Sequence, residues 1–264
     1  MSLPKLTAAS TFRFGSLFSG VGGLDLGLER SGMQCAWQVE NDKYATKVLE
    51  KHWPNVRRWD DVRTSPPAGE WECDLICGGF PCQGISEANH RGKGLEDERS
   101  GLWVEFARIL RVIRPTWALL ENVSALTWRG LGDVLRDLSE SGFDAEWQTL
   151  PAQAFGAPHE RERVFIVAYS ASERCQANEV FARGSLETAS TKQASRIRHW
   201  PGRAESRGAL PNRVRWMPDS ELCRVVDGLP DELDRYRVLG NAVVPQVAQW
   251  LGERIMEVEN AKAN

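Results

Sequence analysis

The sequence predicts an α/β fold built on a doubly wound, mixed but mostly parallel sheet. Two observations carry that expectation. Between residues 13 and 170, apolar runs of strand length alternate with segments whose apolar residues recur at helical spacing. Strands separated by helices in this way pair in parallel, because each crossover helix covers one face of the sheet.

Taken in order, Arg13–Gly20 reads as a strand ending in a glycine turn. Leu24, Leu26 and Leu28 follow in a helical segment that Gly32 would terminate. Residues 35–40 (CAWQVE) read as a second strand and 43–53 (KYATKVLEKHW) as the next helix. Buried-strand patterns recur at 73–79 (CDLICGG), 117–123 (WALLENV) and 163–169 (RVFIVAY). Between the first two of these, LWVEFARILRVIRP has helical spacing and stops before Pro115. A last helix is expected from about Gln246.

Composition is that of an ordinary globular chain: 264 residues, 42% apolar and 26% charged, which argues against wholesale disorder. No stretch approaches the roughly 20 apolar residues of a membrane-spanning helix. The first residues, MSLPKLTAASTFRF, hold no apolar run of secretory-signal length. Six cysteines without a paired CxxC pattern and four scattered histidines speak against a zinc site, so reduced thiols in a cytoplasmic protein are expected. The net charge of −3 conceals a division: −4 over 1–170, +5 over 171–216, and −4 over 217–264. The basic middle segment lacks sustained periodicity and is rich in Ser, Ala, Gly and Arg.

Four groups of residues could carry chemistry. Phe18-Ser19-Gly20-Val21-Gly22-Gly23-Leu24 places glycines between a strand and a helix, where backbone can approach a ligand or simply turn tightly. Its spacing is not the dinucleotide GxGxxG. Glu40 and Asp61, at the ends of the second and third strands, are either solvated acids or nucleoside ligands; a carboxylate about 20 residues after such a turn suits ribose hydroxyls. Cys82 follows two glycines and Pro81 after the CDLIC strand, at the mouth expected of the same crevice, and is either a nucleophile or an inert thiol. Cys77, within the strand, suits the inert reading. Glu121 closes a buried strand and needs a partner or a raised pKa, and Arg161 and Arg163 would share one face of the strand they open.

Together these residues, in this order, resemble the DNA cytosine-5 methyltransferase family. The matching segments are FGSLFSGVGGLDLGLERSG, VENDKYA, WDDVR, DLICGGFPCQGIS, LLENV, HERERVFIVA and LGNAVVPQVA, spanning roughly 12–170 and 221–258. The resemblance implies a Rossmann-like class I S-adenosylmethionine-dependent methyltransferase: a catalytic domain at 12–170, a small target-recognition segment at 171–220, and a return to the catalytic domain at 221–258.

It also implies roles. Cys82 would add to carbon 6 of a cytosine flipped out of double-stranded DNA, Glu121 would contact ring nitrogen 3, and Arg163 with Arg161 would hold the base's carbonyl side. Phe18, Gly20, Val21, Gly22, Gly23, Leu24, Glu40, Asn41, Asp61, Val62, Pro81, Asn241 and Ala242 would line the S-adenosylmethionine site. Within it, Glu40 would take the ribose hydroxyls and Asp61 the adenine amino group. Gln83, Ser86, Arg91, Lys93, Arg196, Arg198 and Arg203 would face DNA. No metal and no membrane are expected, and a monomer is.

His159 stands where the family carries Gln before its Arg-x-Arg element, and the recognition segment is short. The short length and the RGKGLEDERSGLW wording resemble solitary phage or prophage methylases, in a bacterial or phage-infected cytoplasm. A transfer-RNA-directed relative would carry a Cys-Phe-Thr signature, which is absent. The other readings are a DNA-binding protein that has kept the fold without catalysis, and a nicotinamide dehydrogenase. The second fails on the glycine spacing and on Pro81-Cys82-Gln83.

Overall fold

The computed structural model describes residues 11–65, 71–81, 102–157, 161–170 and 242–262. Its strands are β1 (Arg13–Leu17), β2 (Gln34–Val39), β3 (Arg57–Trp59), β4 (Leu75–Gly78), β5 (Trp117–Val123), β6 (Phe143–Pro151) and β7 (Glu162–Ser170). They form one sheet in the order β3-β2-β1-β4-β5-β7-β6. The pairs among β1 to β5 are parallel, and β7 runs antiparallel to both β5 and β6.

The α-helices among the described residues are α1 (Gly23–Arg30), α2 (Lys43–His52), α3 (Leu102–Ile113), α4 (Leu126–Arg129), α5 (Leu131–Glu140) and α6 (Pro245–Lys262), and a short 3-10 turn at Ala152–Phe155 follows β6. The helices cover both faces. Leu24, Leu28, Leu49, Trp53, Val247, Leu251 and Ile255 of α1, α2 and α6 and the turn after α2 pack with Phe14, Leu75, Leu119, Phe165 and Val167. Trp103, Phe106, Leu110, Leu126, Val134 and Leu138 of α3, α4 and α5 pack with Leu17, Ile76, Leu120, Ile166 and Ala168. Successive residues of β4, β5 and β7 thus divide between two cores, as the two-residue period of a strand requires. This is the doubly wound α/β sheet that the alternation predicts.

Helix α1 stops as its sequence suggests. The Gly32 N–H donates to the Glu29 carbonyl and the Met33 N–H to the Leu28 carbonyl, with Gly32 at φ 96°, a Schellman closure. Trp117 and Glu259, 142 residues apart, tie the far end of α6 to the start of β5 through a 2.6 Å hydrogen bond from the indole Nε1.

The apolar pattern does not announce β6. Only Phe143 and Leu150 of its nine residues are buried, because it is the sheet's edge strand. Helix α5 does carry a legible period in Leu131, Val134 and Leu138, all buried.

The chain builds β2 and β3 on one side of β1, then crosses to β4 and β5 on the other. Between β1 and β4 the winding reverses. Beyond the carboxyl ends of these strands lies the crevice where open α/β sheets bind ligands.

Candidate active site and cofactor crevice

The first half of the crevice is the turn after β1. Phe18 has φ 53°, an uncommon conformation for an aromatic residue, and Gly20 and Gly22 follow at 56° and 82°. Backbone bonds hold the turn: Ser19 N–H to the Val39 carbonyl at 3.2 Å and Gly22 N–H to the Ser19 carbonyl at 2.9 Å. The Gly20 N–H donates to Glu40 Oε2 at 2.7 Å. The other carboxylate oxygen, Oε1, accepts from the Asp42 N–H at 2.7 Å. Asp42 in turn caps α2, accepting from the N–H groups of Tyr44 and Ala45.

Glu40 is therefore a latch across the ends of β1 and β2. Its pKa is raised by burial, and the backbone donors of Asp42 and Gly20 oppose that shift. Each of its oxygens keeps a second lone pair for a ligand hydroxyl.

The glycines of this turn do different jobs. A Cβ at Gly20 would meet no described atom within 4 Å, so this position opens onto the crevice. At Gly22 it would lie 2.5 Å from the Trp53 indole, and at Gly23 it would run into the Val243 carbonyl. Gly22 and Gly23 are thus required by packing, whatever else they touch. Val21 is half-buried and Leu24 buried, while Asn41 is exposed beside Glu40. At the end of β3, Asp61 Oδ1 accepts from the Arg63 N–H at 2.9 Å, and Val62 is buried. Arg108 of α3 holds this loop through the Val62 and Ser65 carbonyls.

The second half lies beyond β4 and β5. Glu121 is 8% exposed, and its Oε2 would be only 2.6 Å from a Cβ at Gly79, so Gly79 admits the acid beside the Phe80-Pro81 backbone. Asn122 Nδ2 donates to the Phe80 carbonyl at 3.2 Å, and the Phe80 ring packs on Trp103 with centroids 5.2 Å apart. Pro81 is thereby anchored to β5, and Cys82 is the next residue in the chain.

Arg163 Nε lies 3.1 Å from Glu121 Oε1. Burial nonetheless raises the Glu121 pKa, against the lowering influence of Arg163 and Arg161. Burial also lowers the Arg161 pKa to about 10, helped by the neighbouring Arg163 and opposed by Glu121. The Arg161 Nε is buried with no hydrogen-bond partner among the described residues. Both arginines line one cleft with Phe165, Ala242, Val243 and Val247, although only Arg163 belongs to β7 and Arg161 lies just before it, where a strand opened by both was expected.

The structure therefore brings Gly20 and Glu40 to one side of the crevice, and Pro81, Glu121, Arg161 and Arg163 to the other. Cys82, Gln83, Ser86, Arg91, Lys93, His159, Asn241, Arg196, Arg198 and Arg203 lie outside the described residues, as does the segment 171–220. The predicted inert thiol, Cys77, is buried in β4, and burial holds its pKa well above the usual thiol range. Among the described residues no cluster of His, Cys, Asp or Glu could hold a metal ion, and no helix is long and apolar enough to cross a membrane. Sequence reasoning missed the role of Asn122 and a buried polar group around Asp25. In both cases the partners come from elements distant in sequence: the loop after β4 for Asn122, and β1 and β2 for Asp25.

This geometry has known counterparts. A family model described as C-5 cytosine-specific DNA methylase matches residues 12–219, most of the chain. The chain belongs to the C-5 cytosine-specific DNA methylase family. That is a family of enzymes, and the resemblance read from the motifs holds.

Among curated relatives, type II methyltransferase M2.BsuMI of Bacillus subtilis is 28% identical over 92% of this chain and 75% of its own length. M.NgoBI of Neisseria gonorrhoeae is 37% identical over 58% of this chain and 49% of its own. M.Bsp6I of a Bacillus species is 37% identical over 58% of this chain and 51% of its own. The chain spans about half the length of the last two.

Among solved structures, a protein assigned as a DNA modification methyltransferase within an E. coli prophage matches with TM-score 0.53 and 27% identity, over 62% of this chain and 48% of its own. Spodoptera frugiperda DNMT2 matches with TM-score 0.51 and 21% identity, over 61% and 50%, a likeness of fold alone. The Rossmann-like class I methyltransferase fold is thus the fold of this C-5 cytosine methylase.

Proposed function

We propose that this chain transfers a methyl group from S-adenosylmethionine to carbon 5 of a flipped cytosine in double-stranded DNA, through a covalent adduct on Cys82. The observation that carries the reading is the buried Glu121, seated against Gly79, three residues before Cys82, and paired with Arg163.

The crevice fits the cofactor. Among the described residues Gly20 leaves space for a ligand, and the Glu40 carboxylate lies beside it with lone pairs to spare. Phe18, Gly20, Val21, Leu24, Glu40 and Asn41 would hold it on one side, and Asp61, Val62, Pro81, Asn241 and Ala242 on the others. When bound, the cofactor supplies an electrophilic methyl group on a sulfonium.

The chain's own residues prepare the base. The Cys82 thiolate adds to carbon 6, splitting one difficult substitution into easier steps. Electron density then builds at ring nitrogen 3 and carbon 5. Glu121, kept protonated more readily by burial, donates a hydrogen bond or its proton at nitrogen 3. Arg163, whose Nε lies 3.1 Å from Glu121 Oε1, orients the carboxyl and, with Arg161, would face the base's carbonyl side. Once carbon 5 has taken the methyl group, loss of its proton to water and expulsion of the Cys82 thiolate restore the aromatic ring.

The basic segment 171–216 would meet DNA, with the protein acting as a monomer in the cytoplasm. The test is bisulfite sequencing of DNA from cells expressing the chain or its Cys82→Ala variant. Methylated cytosines in a fixed sequence context with the first and none with the second are expected. Their absence from both would overturn the proposal.

A further inference from the structure

Beneath the glycine turn lies a chain of buried polar side chains that the chemistry above does not use. Asp25, on the first turns of α1, is 0% exposed. Its Oδ2 accepts from Ser16 Oγ at 3.0 Å and its Oδ1 from Gln38 Nε2 at 2.7 Å. The Cys35 thiol lies 3.8 Å from the same Oδ1. Gln38 then accepts, at Oε1, from Arg58 Nε and Nη2 at 3.0 and 2.8 Å. Arg58 Nη2 also donates to the Trp53 carbonyl at 3.1 Å. The Trp53 indole closes the ring, filling the space above Gly22 that a Cβ would need.

The sheet register makes this possible. Ser16 and Gln38 are direct partners across β1 and β2, so both side chains leave the sheet on the face that α1 covers. The register shifts by one residue between Phe14, opposite Cys35, and Gly15, opposite Trp37. Without that bulge Ser16 would face Trp37 instead, and Asp25 would lose its second partner. An ionised or polar group held this deep costs stability that apolar packing would not, so its value lies in the geometry it fixes.

That geometry is the cofactor side of the crevice. Ser16 stands four residues before Gly20, and Gln38 two before Glu40. These are the two ends that the bond from the Gly20 N–H to Glu40 joins.

We propose that Asp25, acting through Ser16, Gln38 and Arg58, is a positioning residue for the cofactor site: it holds the ends of β1 and β2 at the separation where Glu40 latches the Gly20 turn. The proposal rests on the function proposed above, because it takes the ligand of that turn to be S-adenosylmethionine.

Gln38→Met keeps the side-chain length and removes both polar links. It is expected to weaken calorimetric binding of S-adenosylmethionine about tenfold, with kcat at saturating cofactor within about twofold. In the protein without cofactor, exchange of the Gly20 amide should accelerate by a similar factor. Arg58→Met leaves the buried half intact, so it tests the link even if Gln38→Met fails to fold. It should weaken binding about threefold, the loss expected from removing the outer bonds alone. Asp25→Asn, which can still accept from Gln38 and bond Ser16, should bind nearly as tightly as the native chain, whereas Asp25→Leu should not.

A wild-type chain that binds cofactor, with Gln38→Met and Arg58→Met variants that bind it equally well and protect Gly20 equally, would overturn this inference alone. A wild-type chain that binds none would overturn the proposed function and this inference with it. A loss confined to kcat would also contradict a positioning role on the cofactor side.

Discussion

Gly23→Ala tests the finding that a glycine of the motif is fixed by packing. In the structure a Cβ at this position would lie under 3.0 Å from the Val243 carbonyl oxygen, where ordinary contact begins near 3.4 Å. The atom it meets is backbone, and Pro245 just beyond begins α6, which packs along α1. A flexible side-chain tip could swing aside; this carbonyl retreats only if the start of α6 moves. Forced overpacking of this kind costs roughly 1–3 kcal/mol. The small gain in helix propensity at a first-turn position offsets only part of that.

For a chain of this size the midpoint of thermal unfolding should fall by about 3–8 °C. Val243 also lines the cleft of Arg161 and Arg163, so a displaced α6 should weaken substrate binding as well. Gly20→Ala is the control. It meets open space but must hold an alanine at φ 56°, a cost of about 1 kcal/mol. Differential scanning calorimetry of the two variants decides the matter. A Gly23→Ala protein that melts with the wild type would refute the packing account.

Three other outcomes are expected, two from the structure and one from the charge of the sequence. Burial pushes the Asp25 carboxyl from 3.8 up to about 6, so ionising it costs the folded state about 3 kcal/mol at neutral pH. Below about pH 4 both states carry the proton and the cost is absent; it grows as pH rises and is complete above 6. Asp25→Asn should therefore be more stable than the wild type in urea unfolding at pH 7.5, and the gap should close by about pH 4; a constant gap would contradict this. Glu121→Gln should lower kcat by about 10²–10³-fold while S-adenosylmethionine affinity changes little, and an equal loss in both would point to a cofactor role instead. Neutralising Arg196, Arg198 and Arg203 together should flatten the dependence of DNA affinity on salt by up to about three counterions' worth of slope, and an unchanged slope would remove these residues from the interface.

The alternation of apolar runs was enough to place β1, β2, β4, β5 and β7, because each is largely buried on both faces and reads as a mostly apolar segment. β6 was not legible, since an edge strand keeps polar residues such as Gln148 and Thr149 among its apolar ones. In the crevice, Glu40, Glu121 and the two arginines were legible from their place at strand ends. The separate duties of Gly20, Gly22 and Gly23 were not, because Trp53 and Val243 reach them from about 30 and 220 residues away in the sequence. Asp25 was hidden for the same reason. An acid amid LDLGL reads as the solvent side of a helix until Ser16 and Gln38 are known to lie opposite.

The central claim is that Cys82 attacks a flipped cytosine and that the chain holds S-adenosylmethionine for the methyl transfer. The most direct measurement incubates the protein with duplex DNA that carries its methylation site with 5-fluorocytosine at the target position, with and without S-adenosylmethionine. Fluorine at carbon 5 blocks the final elimination. A denaturation-resistant protein–DNA complex that needs the cofactor and is lost in Cys82→Ala is expected. A complex that survives in Cys82→Ala, or its absence from a protein that methylates the same site with cytosine, would contradict the claim.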